Sequence, residues 1–234
     1  MNISIKDIFN AFQIEFKALG FEHSKWYNHN NCFEFWMEEK ERICLFSINY
    51  TKVKAFYKLS NIFNADIIFK DVNNIFQKFI NLDREYSVDS FEATIQSIPN
   101  YDNHLNILFD LPKYEINTKD EFDIVKNKVI AYFKEYPSSF FDQIPNLQTV
   151  NKNILNQVPQ SEYTKYIKGK ATFKILIIMK LCNNSKYDDY KNWAVKGYKE
   201  LVIENSQMYT KEYQILIELL DYLDRGLNKE LLKA

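Results

Sequence analysis

Cys32-Phe33-Glu34-Phe35-Trp36-Met37-Glu38 is joined to Arg42-Ile43-Cys44-Leu45-Phe46-Ser47-Ile48-Asn49-Tyr50 by only Glu39-Lys40-Glu41. Both runs alternate at period two, and the three consecutive charged residues mark a turn, so the stretch reads as an antiparallel hairpin. In the first run Phe33, Phe35 and Met37 share one face, while Glu34, Trp36 and Glu38 share the other. In the second, Cys44, Phe46 and Ile48 alternate against Ile43, Leu45 and Ser47. One side is apolar along both runs. That is the pattern of a sheet with one face on a core.

Outward from the hairpin, Lys52–Leu59 sets Val53, Ala55, Tyr57 and Leu59 against Lys52, Lys54 and Lys58, and predicts a half-solvated third strand. Upstream, Ser4 with Asp7 three residues on approximates a capping box. Ile5, Ile8, Phe9, Phe12, Phe16 and Leu19 then fall on one helical face. Gly20 and Phe21 fit the C′ and C″ positions of a Schellman stop, with Phe21 against Phe16. A helix is therefore expected over residues 4–19. Downstream, residues 62–82 are ambiguous, although Val72, Ile75, Phe76, Phe79 and Ile80 favour a helix over the second half. Alternation predicts strands over Ser90–Ile98 and His104–Leu111, the latter ended by Pro112.

At Thr118 the period switches to 3.6. Thr118 and Glu121 form a capping box ahead of Phe122, Val125, Val129 and Phe133, and Pro137 stops that helix. A short helix is expected over Asn146–Gln157. Phe173–Cys182 is apolar nearly all round, as a buried central helix would be. Ser185 and Asp188 are read as capping the next helix, and a last one over Thr210–Arg225 ends at Gly226. The expected class is α+β, with a leading helix and antiparallel sheet in 1–117 and a helical region in 118–234. The boundary segment, 112–118, offers no flexible linker, so the two regions are expected to form one compact unit.

Composition excludes more than it assigns. Gly20, Gly169, Gly197 and Gly226 are the only 4 glycines in 234 residues. Walker, Rossmann and kinase loops need clustered glycines for close backbone approach to phosphate, so no nucleotide cofactor is expected. There are 27 Lys but only 3 Arg, and Arg is the preferred bidentate reader of guanine, so sequence-specific DNA recognition is not expected. Residues 1–117 hold 12 basic against 16 acidic side chains and residues 118–234 hold 18 against 15, so −4 and +3 give the net −1. Cys32, Cys44 and Cys182 are odd in number and cannot build a full disulfide framework. No apolar run is long enough to span a bilayer, and the start lacks a secretory core. A cytoplasmic protein away from the membrane is expected.

Chemistry-bearing patterns are sparse. His23, His29 and Cys32 lack the paired spacing and fourth ligand of a zinc site, so no metal is expected. Glu38-Glu39-Lys40 matches the E-x-K element of restriction-type nucleases but has no upstream Asp to hold Mg²⁺ with it. His104 beside Asp102, or His23 with nearby carboxylates, would serve an unfamiliar catalytic site, and this is the alternative function. Between Tyr163 and Tyr187 six lysines occur with no acid, and aromatics are interleaved. Such a stretch meets single-stranded nucleic acid or an acidic protein, or simply rims a buried helix. With no catalytic constellation, the favoured reading is a non-enzymatic protein-binding module. Its candidate partner-binding residues are Lys165, Lys168, Lys170 and Lys174 on the basic side, and Glu34, Glu38, Glu39 and Glu41 on the acidic side.

Three passages carry a resemblance. They are Ala18-Leu19-Gly20-Phe21 leading into aromatic strands, Phe140-Phe141-Asp142-Gln143-Ile144 followed by a short helix with Leu147, and Lys186-Tyr187-Asp188-Asp189-Tyr190 in the terminal helices. Their order resembles bacterial domain-of-unknown-function families with an α+β start and a helical end. Some members lie beside toxin genes and are regarded as immunity proteins. The resemblance implies an immunity-like inhibitor that binds one protein partner, and it transfers no catalytic residue.

Overall fold

A computed structural model describes residues 3–53, 56–80, 93–96 and 115–226. The chain contacts divide it into one unit of Met1–Ile68 and Ile95–Pro145, and another of Phe69–Thr94 and Asn146–Ala234. The class is α+β, with a leading helix, a six-stranded antiparallel sheet and a helical C-terminal half.

In the first unit, α1 (Ile5–Ala18) begins at Ser4, whose hydroxyl and backbone N–H exchange hydrogen bonds with Asp7 in a full capping box. It ends as the residue pattern requires. Gly20 takes φ +90°, its N–H donates to the Lys17 carbonyl, and the Phe21 N–H donates to the Phe16 carbonyl at 3.0 Å. These are the two bonds of a Schellman motif, and the Phe16 and Phe21 rings meet edge-on at 5.9 Å.

The reversal delivers the chain into β1 (His23–Tyr27), β2 (Cys32–Glu38) and β3 (Arg42–Val53), followed by β4 (Phe56–Phe69). The sheet order is β1-β2-β3-β4-β5, and β5 (Ile95–Gln96) and β6 (Glu115–Ile116) both pair with β4. The predicted hairpin stands in register, with Phe35 opposite Phe46 and Glu34 opposite Ser47. The run Lys52–Leu59 is not one strand. Lys52 and Val53 finish β3, while Tyr57 and Leu59 open a 14-residue β4 that extends through the ambiguous 62–69. Period-two alternation is the same at the end of β3 and the start of β4, so the pattern alone does not separate the two strands. Residues 54–55 and the His104–Leu111 run lie outside the described residues, as does most of Ser90–Ile98.

α1 lays Phe12 and Phe16 onto this sheet. Phe16 stacks on Phe35 with ring centroids 4.4 Å apart and touches Phe46 at 5.3 Å. α3 (Lys119–Glu135), capped by Thr118 and Glu121, adds Phe122 against Phe12 and Phe133 against Phe16. α4 (Pro137–Gln143) follows directly, with Pro137 at its first turn and Phe141 buried. The core of this unit is therefore largely phenylalanine.

The second unit is helical. It contains α2 (Lys70–Phe79), α5 (Leu147–Val150) with its π turn Asn151–Leu155, and α6 (Tyr163–Tyr166). These are followed by α7 (Ala171–Leu181), α8 (Tyr187–Glu204) and α9 (Ser206–Asp221), the last closing in a π turn over Tyr222–Gly226. α7 is the expected buried helix, with Phe173 through Met179 all inaccessible. Ser185 does not cap α8. The Lys186 N–H instead donates to the side-chain oxygen of Asn184, whose amide is itself held by Asn151 and Asn156. A residue already fixed by two partners is a better turn former here than a free serine.

Gly197 lies inside α8, and an added Cβ would meet nothing within 4 Å. No neighbouring helix therefore requires a glycine at this position. Its cost is backbone freedom in the unfolded chain. Gly197→Ala is expected to raise stability by about 0.5–1 kcal/mol, read as a shift of the urea midpoint at unchanged slope.

Candidate functional site

The register of β1 on β2 places His23 opposite Trp36, Lys25 opposite Glu34 and Tyr27 opposite Cys32. Side chains alternate, so His23, Lys25, Tyr27, Glu34, Trp36 and Glu38 share the face turned away from the α1 side chains. The opposite face carries Phe33, Phe35 and Trp26, and Trp26 donates its indole N–H to the Tyr50 hydroxyl at 2.9 Å. The outward face is half-exposed: His23 and Glu38 are open to solvent, and Lys25, Tyr27, Glu34 and Trp36 are partly covered. The His23 and Trp36 rings stack with centroids 5.5 Å apart and planes 19° apart. The Lys25 ammonium lies 5.1 Å over the Tyr27 ring. The turn joining the strands is closed by the Asn30 N–H on the Tyr27 carbonyl, with Asn31 at φ +50°, a conformation that Asn tolerates.

The four candidate acids therefore separate. Glu34 and Glu38 flank Trp36 on one face, and Glu41 is exposed on the β2–β3 turn. Glu39 has a structural place: both of its oxygens accept from Arg42, at 2.7 and 2.8 Å. The same guanidinium donates to the carbonyls of Phe141 and Ile144, each at 2.6 Å. The Glu38-Glu39-Lys40 element thus lies on a hairpin turn clamped by Arg42.

The four candidate lysines do not form one surface. Lys165 is exposed and paired with Glu162 at 3.3 Å. Lys170 pairs with Glu212 at 2.5 Å, and Lys168 is exposed. Lys174 corrects the sequence reading, because it is 1% exposed. Its ammonium donates to the Ala93 carbonyl at 2.6 Å and the Lys168 carbonyl at 2.8 Å, and lies over the Phe76 ring. Gly169, at φ +68°, makes the turn that points the Lys168 carbonyl inward just before α7. A long stem with a terminal donor can satisfy inward carbonyls, so the spacing that suggested a basic stripe also serves the interior.

A second polar cluster has no counterpart among the sequence motifs. Asp224, in the last π turn, accepts from Lys180 at 3.0 Å, the Tyr187 hydroxyl at 3.0 Å and Lys191 at 3.2 Å. Lys180 and Lys191 also lie over the Tyr187 ring, at 4.8 and 5.3 Å. Burial would raise the Asp224 pKa, but the three hydrogen bonds outweigh it and hold the carboxyl below the ordinary aspartate range. Burial, reinforced by the Asp224 charge, pushes the Tyr187 hydroxyl up. A carboxylate with a depressed folded-state pKa contributes stability that is full above its unfolded value and lost as pH falls through the folded one. Asp224→Asn is therefore expected to weaken the protein at neutral pH and to flatten the fall in its Tm below about pH 4. The sequence offers only the i, i+3 spacing of Asp188 and Lys191, since Lys180 and Asp224 meet across a long separation.

The zinc-like trio does not converge. Cys32 is buried and its thiol donates to the Phe33 carbonyl, while His29 is exposed on the turn. Burial pushes the Cys32 and Cys44 thiols up to about 12 and Cys182 to about 11. Thiols held protonated in this way are poor nucleophiles and ligands at neutral pH. Among the described residues no group of three or more His, Cys, Asp or Glu is arranged to hold a metal ion. His104 lies outside the described residues. No described helix is long and apolar enough to cross a membrane.

No family model matches the chain, and no solved structure matches it. The chain is similar to protein Ycf2 of Physcomitrium patens, 25% identical over 188 residues. The match takes in 76% of this chain and 8% of that protein, so the chain spans less than a tenth of its relative's length.

Proposed function

We propose that this chain is a non-enzymatic protein-binding module, acting as an immunity-like inhibitor in the manner of the bacterial proteins its element order resembles. The reading is carried by one observation: Trp36, half-exposed and stacked on His23, stands between Glu34 and Glu38 on the outward face of a sheet whose other face is a rigid phenylalanine core. A large aromatic on a rigid strand contributes contact area with little loss of side-chain entropy, and such residues dominate binding energetics. Flanking carboxylates raise the association rate with a basic partner surface. The lysines of the 163–187 segment support nucleic-acid binding less well, since Lys165, Lys170 and Lys180 are ion-paired and Lys174 is buried.

The test is protection in cells. The chain is co-expressed with the product of its neighbouring gene, and survival is counted. The wild type is expected to rescue growth, with Trp36→Ala and the double variant Glu34→Lys/Glu38→Lys each lowering survival at least about tenfold. The exposed control Lys211→Ala is expected to leave rescue intact. Full rescue by both sheet variants, or a neighbour whose product is harmless, would sink the reading.

A further inference from the structure

Lys186 at the cap of α8, then Asp189, Trp193, Lys196 and Glu200 along it, recur at steps of three and four, so they lie on one stripe of the helix. All five are exposed. Trp193 stands at the centre of the stripe and is 52% exposed. Its ring rests on that of the buried Tyr190, with centroids 5.2 Å apart. The indole is thus supported from below and leans toward the helix N-terminus, the direction helical side chains take. One turn the other way, Gly197 leaves a notch, since a Cβ there would meet nothing within 4 Å. The charges about Trp193 run positive, negative on one side and positive, negative on the other.

We infer that this face of α8 pairs with the same face of a second copy of the chain, antiparallel about a two-fold axis at Trp193. The order of charges selects that occupant. Reversing the helix about Trp193 brings Asp189 against the second copy's Lys196 and Lys186 against its Glu200, each contact made twice by symmetry. A parallel pairing sets Asp189 against Asp189 and Lys196 against Lys196, so the stripe fixes direction as well. The lean of the indoles completes the fit. Because the two helices run oppositely, each ring reaches toward the C-terminal half of the other and comes over its Gly197, where no side chain stands. Within one chain Lys196 and Glu200 lie 3.9 Å apart, and the Lys186 ammonium donates to the Leu155 and Asn156 carbonyls at 3.4 and 3.2 Å. These contacts leave all three side chains exposed, within reach of a partner. Exposed ion pairs are individually weak, so they set orientation, while the two tryptophans supply most of the binding energy. The inference stands apart from the sheet-face reading above and does not depend on it.

Sedimentation equilibrium of the full chain at rising concentration is the test. The wild type is expected to pass from the monomer mass toward twice that mass. Trp193→Ala is expected to weaken association at least about tenfold. Gly197→Gln is expected to do the same by filling the notch, with a residue that favours the helix and so does not unfold it. Asp189→Lys and Lys196→Glu each set like charges opposite one another across the two-fold axis, and each is expected to weaken association about tenfold. An equimolar mixture of those two single variants restores opposite charges at both contacts and is expected to associate as the wild type does. Recovery on mixing also shows that both variants are folded. Ile14→Ala, at an exposed apolar residue of the first unit, is expected to leave association unchanged. A wild type that keeps the monomer mass at every concentration would overturn the inference. So would a dimer unmoved by Trp193→Ala or Gly197→Gln, or single charge variants that either associate like the wild type or fail to recover when mixed.

Discussion

Phe16→Ala is expected to lower the free energy of unfolding by about 3–5 kcal/mol. Phe16 is fully buried. Its ring lies 4.4 Å from Phe35, 5.0 Å from Phe133, 5.3 Å from Phe46 and 5.9 Å from Phe21. It therefore joins α1, β2, β3 and α3, and it supplies the apolar contact of the turn that stops α1. Truncation removes the transfer free energy of the ring and leaves a cavity that rigid neighbouring rings cannot fill. Urea unfolding of the full chain measures it. Ile14→Ala on the same helix is the control, since Ile14 is 71% exposed and a change within about 0.5 kcal/mol is expected there.

Arg42→Met is expected to cost about 3–5 kcal/mol, although methionine retains much of the apolar stem. Arg42 is 6% exposed, and its guanidinium serves three acceptors: the Glu39 carboxylate and the carbonyls of Phe141 and Ile144. Its loss leaves both carbonyls without that donor and the Glu39 charge uncompensated. Arg42→Lys is expected to recover only part of the loss, because an ammonium cannot hold a bidentate carboxylate and two carbonyls in one plane. Calorimetric Tm values for both variants, with and without Glu39→Gln, measure the coupling. If Arg42→Met melts with the wild type, the clamp has no stabilising role.

Both residues show what kind of information a sequence carries. Phe16 is legible, since helical spacing places it with Ile8 and Phe12, and its position four before Gly20 gives it the capping contact. Arg42 is not legible beyond its place at a hairpin turn. Its carbonyl partners lie about a hundred residues away, and backbone carbonyls have no signature in a sequence. Lys174 misleads for a related reason: a lysine beside other lysines reads as surface, and only tertiary contact brings two inward carbonyls to its ammonium. The Lys52–Leu59 run misleads because alternation is the same at the end of β3 and the start of β4.

The candidate site divides along the same line. Alternation alone puts Glu34, Trp36 and Glu38 on one face. Their neighbours His23, Lys25 and Tyr27 arrive through the β1–β2 register, which depends on the turn at Asn28–Asn31. By itself the sequence determined the α+β class, both capping boxes, the Schellman stop at Gly20 and the buried character of α7. These are local properties, fixed by side-chain period and by backbone preferences within a turn or two. Tertiary structure alone decided that Arg42 reaches the carbonyls of Phe141 and Ile144, that Lys174 is interior, and that Asp224 gathers two lysines and a tyrosine. Each of those depends on which distant segments come together, and burial then determines whether a charge meets a partner or water.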